Sequence, residues 1–498
     1  MRFQPSSLLP RLLSPSLLLK TTALAAGLLM SAAPAWSYSA HAGGIVDAAG
    51  ASVQLRGVNW FGAETANNVV HGLWTRNWQD MITQMQGQGF NAVRLPFCPT
   101  TLRGVQPSSI DYGRNPDLQG LNSLQVLDAV VLELSRRGMY VLLDHHTTDC
   151  QSISELWYTP SYSEAQWLAD LAFVAQRYAQ VPGVIGIDIK NEPHGAATWG
   201  TGNVATDWNL AAERAAATVL PLAPHWLIAV EGIGENASCS SQGGHFWGGN
   251  IEPLECRPLA IPADRLLLAP HTYGPDVYEQ QYFKAPGFPA NMPAIWEQHF
   301  GRFVQKGYTL LLGEFGGKYG QGHPGDVAWQ NALVDYLVAK GVRGGFYWSW
   351  NPNSGDTGGI LQDDWQTVRS DKVQLLRRLW GNVGGSTPPP PPPPGQPPAP
   401  PPAPQPPPPP PPPAEAKFSV VQIVDTDWGA GYCQRVQIHN TGAAAGNWAL
   451  STQVQGRINN LWNAVWQQQG SQLTASGVDW NKTLAPGARA EFGFCAQR

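Results

Sequence analysis

The sequence predicts an α/β protein: a (β/α)8 TIM barrel, followed by a Pro-rich linker and a small all-β sandwich. Three observations predict this order. Eight short apolar runs of strand composition occur between residues 53 and 350, most of them separated by segments of helical period. Residues 388–413 then contain 21 prolines in 26 positions. Beyond them, residues 417–498 form short alternating runs bounded by turn residues.

Length and charge restrict the classes of partner. The chain has 498 residues, which predicts one large domain and at least one further unit. It carries 31 Lys and Arg against 36 Asp and Glu, a formal charge of −5. This balance gives no long-range attraction to nucleic acid or anionic lipid, so we expect neither a nucleic-acid nor a membrane partner.

The N-terminal segment predicts export. Arg2, Arg11 and Lys20 precede an apolar stretch at residues 21–31 and the small-residue site Ala33-Pro34-Ala35. This is the order of a secretory signal, and the apolar stretch is shorter than the ~20 residues of a membrane span. We therefore expect a secretory signal at 1–40 and a secreted, extracellular protein. The barrel is predicted at 41–385, a polyproline II linker at 386–413 and the sandwich at 414–498.

The barrel is predicted from its strands. They are expected at residues 53–59, 91–97, 140–144, 184–191, 226–231, 265–271, 309–314 and 344–350. Ser163 and Gln166 form a capping-box pattern before a helix. An open doubly wound sheet is less favoured because no Gly-rich phosphate loop follows the first strand.

Polar residues end these apolar runs, where a barrel places its catalytic face. They are Arg94, His146, Asn191, Glu192, Glu231, His271, Tyr273, Glu314 and Trp348. The carboxylates Glu192 and Glu314 are the pair of greatest interest. Glycosidic bond cleavage needs one carboxylic acid to protonate the leaving oxygen and one carboxylate to meet the charge on the anomeric carbon.

Six cysteines are divided four and two between the predicted domains, which in an exported chain indicates disulfides. The small domain permits one internal pair, Cys433–Cys495. In the large domain we favour Cys98–Cys150 and Cys239–Cys256, although three connectivities are possible.

Five segments resemble the signatures of glycoside hydrolase family 5, in order: residues 143–146, 189–193, 271–273, 312–316 and 348–352. The resemblance covers residues 45–382. Segments 58–62, 247–250 and 353–359 look closest to the bacterial endo-β-1,4-glucanases, the cellulases, of that family.

The resemblance implies a retaining mechanism with Glu192 as acid/base and Glu314 as nucleophile. It implies that Arg94 and Tyr273 steady the nucleophile, that Asn191 binds the sugar 2-hydroxyl, and that His146 and His271 complete the subsite above Trp348. Trp60, Trp247, Trp157 and Trp208 are further candidates for stacking on glucosyl units, with burial in the core as the alternative for each. His145 should face away from its neighbour His146.

The small domain has predicted strands at residues 418–424, 434–439, 448–454, 472–476 and 489–494. Segments 440–442, 462–464, 479–481 and 486–494 resemble carbohydrate-binding module family 2, although Cys433 follows Trp428 where the family has a cysteine near the module's start. We expect Trp428, Trp462 and Trp480 to form a cellulose-binding surface and Trp448 to lie in the core. A domain without a ligand is the alternative.

We therefore expect a monomer that needs no cofactor and no metal and acts on cellulose or a related β-glucan. Three alternatives remain open. The polymer could be mannan, xylan, xyloglucan or mixed-linkage glucan. The barrel could be a metal-dependent hydrolase that uses Asp144, His145, His146 and His271. The protein could also bind polysaccharide without cleaving it.

Overall fold

The computed structural model describes residues 36–41, 43–235, 244–381, 416–442, 444–478 and 481–498. The chain divides into two compact units at residue 391, and each unit is described by itself. The predicted linker and residues 1–35 of the predicted signal lie outside the described residues. Among the described helices, none has both the length and the apolar character needed to cross a membrane.

A closed ring of eight parallel strands forms the first unit, which confirms the predicted barrel. A three-stranded antiparallel sheet precedes it: β1 (Tyr38–His41), β2 (Gly44–Asp47) and β3 (Ser52–Val53). The barrel strands are β4 (Arg56–Asn59), β5 (Ala92–Phe97), β6 (Tyr140–His145), β7 (Val184–Asp188), β8 (Leu227–Val230), β9 (Leu266–Leu268), β10 (Leu312–Phe315) and β11 (Gly345–Tyr347). Bridges between Leu268 and Leu310 and between His271 and Glu314 close the ring.

Helices surround the barrel. They are α1 (Trp78–Gln88), α2 (Pro99–Leu102), α3 (Ser123–Arg136), α4 (Glu164–Tyr178), α5 (Trp208–Val219), α6 (Met292–Trp296), α7 (Arg302–Gln305), α8 (Asp326–Ala339) and α9 (Ser370–Trp380). The predicted capping box is present at α4: the Ser163 hydroxyl accepts from the Gln166 amide, and the Gln166 side chain accepts from the Ser163 amide. The apolar faces of the helices pack on the strands around a core rich in buried tryptophan.

The second unit is an all-β sandwich. Its strands are β12 (Phe418–Asp427), β13 (Gly431–Asn440), β14 (Gly446–Asn447), β15 (Ala449–Gln453), β16 (Arg457–Trp462), β17 (Ala464–Gln469), β18 (Gln472–Gly477), β19 (Thr483–Leu484) and β20 (Arg489–Gln497). Sheet β12-β13-β20-β16 faces sheet β15-β18-β17, and Val436, Phe492 and Leu473 meet between them. Trp448 is buried in this core, as predicted.

Two of the favoured disulfides are present, Cys98–Cys150 and Cys433–Cys495. The second joins directly paired residues of β13 and β20. The favoured pair Cys239–Cys256 lies outside the described residues, because Cys239 does.

Candidate active site

Arg94 is the centre of a buried charge cluster at the carboxyl ends of the strands. Its side chain is wholly buried. The guanidinium donates to Asp188 Oδ2 at 2.9 and 3.1 Å, to Glu314 Oε1 at 2.7 Å and to Glu231 Oε1 at 3.3 Å. Asp144 Oδ2 lies 3.1 Å from it. A buried cation that meets four carboxylates in this way fixes their positions relative to one another.

Glu314, in β10, is held at both oxygens. Arg94 Nη1 donates to its Oε1 at 2.7 Å, and the Tyr273 hydroxyl donates to its Oε2 at 2.6 Å. His271 Nδ1 lies 3.5 Å from Oε2. The two short hydrogen bonds fix the orientation of the carboxyl group.

Glu192 lies four residues beyond the end of β7, in the left-handed region of the backbone at φ 50°. Its amide donates to Glu231 Oε2 at 2.9 Å, and its Oε1 lies 3.1 Å from His271 Nδ1. Burial raises the pKa of the Glu192 carboxyl above its ordinary value; His271 opposes this shift and Glu314 reinforces it. The side chain is therefore suited to hold a proton.

The two carboxyl groups lie close together. Glu192, His271 and Glu314 each offer one polar atom within 4.8 Å of the other two. Retaining glycosidases place their carboxyl groups about 5–5.5 Å apart, whereas inverting enzymes leave about 6.5–9.5 Å for a water molecule. The nearest carboxyl oxygens of Glu192 and Glu314 lie closer together than the inverting spacing, which favours the retaining geometry.

His271 stands between three carboxylates. Its Nδ1 faces Glu192 and its Nε2 lies 3.1 Å from Glu231 Oε1. Burial acts against the protonated ring, but Glu231 and Glu314 outweigh it and raise the pKa of His271 well above its ordinary value. The ring is therefore a cation that supports the carboxylates on both sides.

His146 and Asn191 also lie near the carboxyl groups of Glu192 and Glu314. The Asp144 carboxylate lies 2.6 Å from His146 Nδ1, and Asn191 Oδ1 accepts from Arg94 at 2.9 Å. Asn191 Nδ2 lies 3.4 Å from His146 Nε2. Burial lowers the pKa of His146 to about 3, which leaves the ring neutral and able to hydrogen-bond a hydroxyl group.

Two buried triads have metal-like spacing, Asp188, Glu231 and His271, and Glu192, His271 and Glu314. Arg94 already supplies the positive charge to three of these carboxylates, the role that a metal ion would otherwise take. His145 was part of the metal-dependent alternative, but it faces Tyr162 and Phe97, with its Nε2 3.0 Å from the Tyr162 hydroxyl. As expected, it points away from His146.

The aromatic candidates divide into exposed and buried rings. Trp348 is half-buried in the mouth, where it stacks on Phe61 with centroids 5.3 Å apart and donates through Nε1 to Ser354 Oγ at 3.2 Å. Trp247 is 49% exposed and stacks on His194 with centroids 3.6 Å apart. Both rings have the exposure that sugar stacking requires.

The prediction that Trp60 stacks on a sugar is wrong. Its ring is wholly buried and its Nε1 donates to the His71 carbonyl at 3.0 Å, so it has no face for a sugar. The reason is strand alternation: Asn59 points into the barrel to accept from Arg94, and the next side chain therefore points outward. Trp157 and Trp208 are also fully buried, so the core alternative holds for both.

The sequence patterns did not identify several residues of the site. Asp188 holds Arg94 with two hydrogen bonds but lies inside an apolar run, and alternation toward the barrel axis was the signal that could have found it. Glu64 is buried, accepts from the Gly62 amide at 2.7 Å, and has a pKa raised by burial to about 8. Trp74, 38% exposed, packs edge-on against Trp365 in a loop that no pattern predicts.

In the second unit, two exposed tryptophans lie on one sheet. Trp462 is paired with Gly493 on β20, and a Cβ at Gly493 would lie 2.2 Å from its ring. A Cβ at Gly431 of β13 would lie 2.5 Å from the Trp428 ring. The glycines therefore let both rings lie close against the sheet. Trp480 lies outside the described residues.

Comparison with known proteins agrees with both units. Residues 46–354 match the model of the cellulase family, glycosyl hydrolase family 5, and residues 416–498 match that of a cellulose binding domain. The chain is 66% identical over 478 residues to the major extracellular endoglucanase of Xanthomonas campestris pv. campestris, covering 96% of this chain and 98% of that protein. It is 43% identical over 345 residues to an endoglucanase of Paenibacillus polymyxa, covering 69% of this chain and 86% of that protein.

Solved structures agree as well. The catalytic domain of the Xanthomonas campestris endoglucanase matches with a TM-score of 0.68 and 69% identity, covering 69% of this chain and 99% of that structure. An endocellulase of Pyrococcus horikoshii in complex with cellotetraose matches with a TM-score of 0.67 and 47% identity, over 69% and 98%. The chain therefore belongs to glycosyl hydrolase family 5, the cellulase family, and carries a cellulose-binding domain at its C-terminal end.

Proposed function

We propose that this protein is a secreted endo-β-1,4-glucanase that hydrolyses internal bonds of cellulose with retention of configuration. The single observation that carries the mechanism is the spacing of Glu192 and Glu314, whose nearest polar atoms lie within 4.8 Å. The names of the relatives support the activity, and the cellotetraose complex of the Pyrococcus horikoshii endocellulase supports the substrate class.

In the first step, Glu192 gives its proton to the glycosidic oxygen while a Glu314 oxygen attacks the anomeric carbon. The carbon–oxygen bond to Glu314 forms as the glycosidic bond breaks, and the leaving chain departs with a new 4-hydroxyl group. In the second step, Glu192 takes a proton from water, and the water oxygen displaces Glu314. Two inversions at one carbon return the β configuration.

The surrounding residues have distinct tasks in this proposal. Arg94 and Tyr273 hold the nucleophile through hydrogen bonds of 2.7 and 2.6 Å. Asn191 and the neutral His146 hydrogen-bond sugar hydroxyls, and Trp348 stacks beneath the sugar ring. The positive charge of His271 stabilises the carboxylates as charge moves between them.

The remaining proposals concern organisation. Residues 1–40 direct export, in line with the extracellular naming of the Xanthomonas campestris relative. Residues 41–385 catalyse, 386–413 space the two units, and 414–498 hold the enzyme on cellulose through Trp428, Trp462 and Trp480. We also propose that the protein works as a monomer, in line with a cluster around Arg94 whose described groups all come from one chain.

A polysaccharide panel tests the activity. Carboxymethylcellulose viscosity should fall much faster than reducing ends appear, which marks internal cleavage, while mannan and xylan should be poor substrates. Glu314→Gln should lower turnover by several orders of magnitude, because no covalent intermediate forms without the carboxylate. Glu279→Gln removes an exposed carboxylate paired with Lys284 and serves as the control. Preferred cleavage of mannan or xylan, or substantial activity in Glu314→Gln, would contradict the proposal.

A further inference from the structure

A second pair of carboxyl groups lies behind the catalytic pair. Asp326 is the first residue of α8 and is wholly buried. Asp276 follows β9, three residues beyond Tyr273. The two carboxyl groups accept the amides of consecutive residues, Asp276 Oδ2 from Lys318 and Asp326 Oδ2 from Tyr319, which places them side by side. Two ionised carboxylates would repel one another at this separation, so one of the pair must be neutralised.

Among the described residues, one oxygen of the two carboxyl groups receives no hydrogen bond. Both oxygens of Asp276 accept backbone amides, from Lys318 at 2.7 Å and from His323. Asp326 Oδ2 accepts from the Tyr319 amide at 2.9 Å and from Gln330 Nε2 at 2.7 Å. Asp326 Oδ1 is buried and receives no hydrogen bond from any donor in the described part of the chain. A proton on Oδ1, donated to Asp276, satisfies the oxygen that lacks a partner.

The pair joins two segments of the active site. A Cβ at Gly274 would lie 2.7 Å from Asp326 Oδ1, and a Cβ at Gly317 would lie 2.4 Å from the same oxygen. Gly274 directly follows Tyr273, and Gly317 lies three residues after Glu314. The Asp326 carboxyl therefore packs against the backbone of both segments, one carrying the nucleophile and the other the hydroxyl that holds it.

We propose that Asp326 and Asp276 share one proton, and that the resulting bond is a positioning device that holds the Tyr273 segment against the segment that follows Glu314. Ionisation of Asp326 breaks this bond and turns it into a repulsion. The device therefore gives the active site a dependence on pH that does not arise from Glu192. The bond itself is independent of the proposed reaction, so its stability effects are measurable without substrate.

Charged groups face the pair from each neighbouring element. Lys318 and His323 lie in the segment after β10, Tyr347 lies in β11, and Arg369, Asp371 and Lys372 lie at the start of α9. Lys372 Nζ donates to the Thr357 and Gly359 carbonyls at 3.0 and 3.1 Å, and burial lowers its pKa to about 7.

Burial and Asp276 raise the pKa of the Asp326 carboxyl to about 7, against the effect of Gln330 and the Tyr319 amide. The position at a helix N-terminus also favours the ionised form and is outweighed. The pKa of an aspartate in the unfolded chain is about 3.9. Between about pH 3.9 and about pH 7, the folded protein therefore binds one proton more than the unfolded chain at this residue. The free energy of unfolding attributable to this group therefore falls as the pH rises from about 4 to about 7.

The test compares two isosteric variants of the full chain. In Asp326→Asn the amide donates to Asp276, and its oxygen still accepts from Tyr319 and Gln330, so it reproduces the protonated acid at every pH. In Asp276→Asn one oxygen that accepts a backbone amide becomes an NH2 group, so a hydrogen bond is lost at every pH. The two substitutions are chemically matched and should have opposite effects.

Thermal unfolding of the catalytic unit is measured at pH 5 and at pH 8. At pH 8, about nine-tenths of the wild-type Asp326 groups are ionised. Asp326→Asn should unfold at a higher temperature than wild type at pH 8, and the difference should be clearly smaller at pH 5. Its kcat/KM on a soluble β-glucan, divided by the wild-type value, should rise between these two pH values. Asp276→Asn should be less stable at both.

Three results would overturn the proposal. One is an equal effect of Asp326→Asn at both pH values, or its failure to fold, since the amide reproduces the bonds of the protonated acid. Another is a stabilising effect of Asp276→Asn at pH 8. The third is a loss of wild-type stability on chelation that Asp326→Asn abolishes, which would mean that the pair holds a cation instead of a proton.

Discussion

Removal of one hydroxyl group, by Tyr273→Phe, tests how the nucleophile is held. The Tyr273 hydroxyl donates to Glu314 Oε2 at 2.6 Å, and both side chains are buried. His271 Nδ1 lies 3.5 Å from Oε2, which is beyond a normal hydrogen bond. The substitution therefore removes the sole strong donor to this oxygen among the described residues and leaves the ring in place.

A hydrogen bond to a charged group contributes about 1.5–3 kcal/mol. Since about 1.4 kcal/mol corresponds to tenfold in rate, kcat should fall by about 10- to 150-fold. KM should change little, because the hydroxyl is occupied by Glu314 and does not bind sugar directly in the proposed mechanism.

The assay is steady-state hydrolysis of a soluble β-glucan, with thermal unfolding measured to show that the fold is intact. Tyr282→Phe is the matched control: it removes a half-buried hydroxyl that lies 3.1 Å from His245 Nδ1 and does not contact Glu314. A Tyr273→Phe enzyme with more than a third of the wild-type kcat, or an equal loss in the control, would refute the reasoning.

The remaining predictions concern the acid, the central cation and the cellulose-binding sheet. Glu192→Gln should lower hydrolysis of carboxymethylcellulose by about 10²–10⁴-fold. Because the raised pKa keeps the Glu192 proton until the pH exceeds it, the variant should also show a smaller alkaline decline of kcat/KM on an activated aryl glycoside than wild type, the remainder arising from Asp326; an unchanged profile would refute the assignment. Arg94→Met leaves four buried carboxylates without their cation and should lower the free energy of unfolding by about 3–5 kcal/mol in urea denaturation, whereas Arg114→Met, at an exposed pair, should change it by less than about 1 kcal/mol. Trp462→Ala should weaken adsorption to insoluble cellulose at low and high salt while hydrolysis of soluble substrate is kept; Val465→Ala, on the other sheet, should adsorb normally, and a loss of binding with salt would oppose stacking.

The sequence allowed prediction of those features that depend on local pattern. Apolar runs located all eight strands, and the residues at their ends converge because parallel strands in a barrel present their carboxyl ends on one face. The placement of Arg94, Glu192 and Glu314 followed from this rule, as did the outward turn of His145 from the alternation of side chains.

Features that depend on partners distant in the chain were not predictable. Asp188 is a buried acid, and only its contact with Arg94, distant in the chain, explains how its charge is accommodated. Trp60 was misassigned because a tryptophan side chain can serve either as a sugar-stacking surface or as part of a core. Its orientation follows from the inward side chain of Asn59, which the alternation rule would have identified if applied to this strand.

The stereochemistry of the first product tests the central claim most directly. Proton NMR of the hydrolysis of a soluble cello-oligosaccharide, followed from the first seconds, identifies the anomer before mutarotation mixes the two forms. The nearest carboxyl oxygens of Glu192 and Glu314 lie within 4.8 Å, closer than the inverting spacing, so the β anomer should appear first. Initial release of the α anomer would show inversion and would contradict the assignment of Glu314 as the nucleophile.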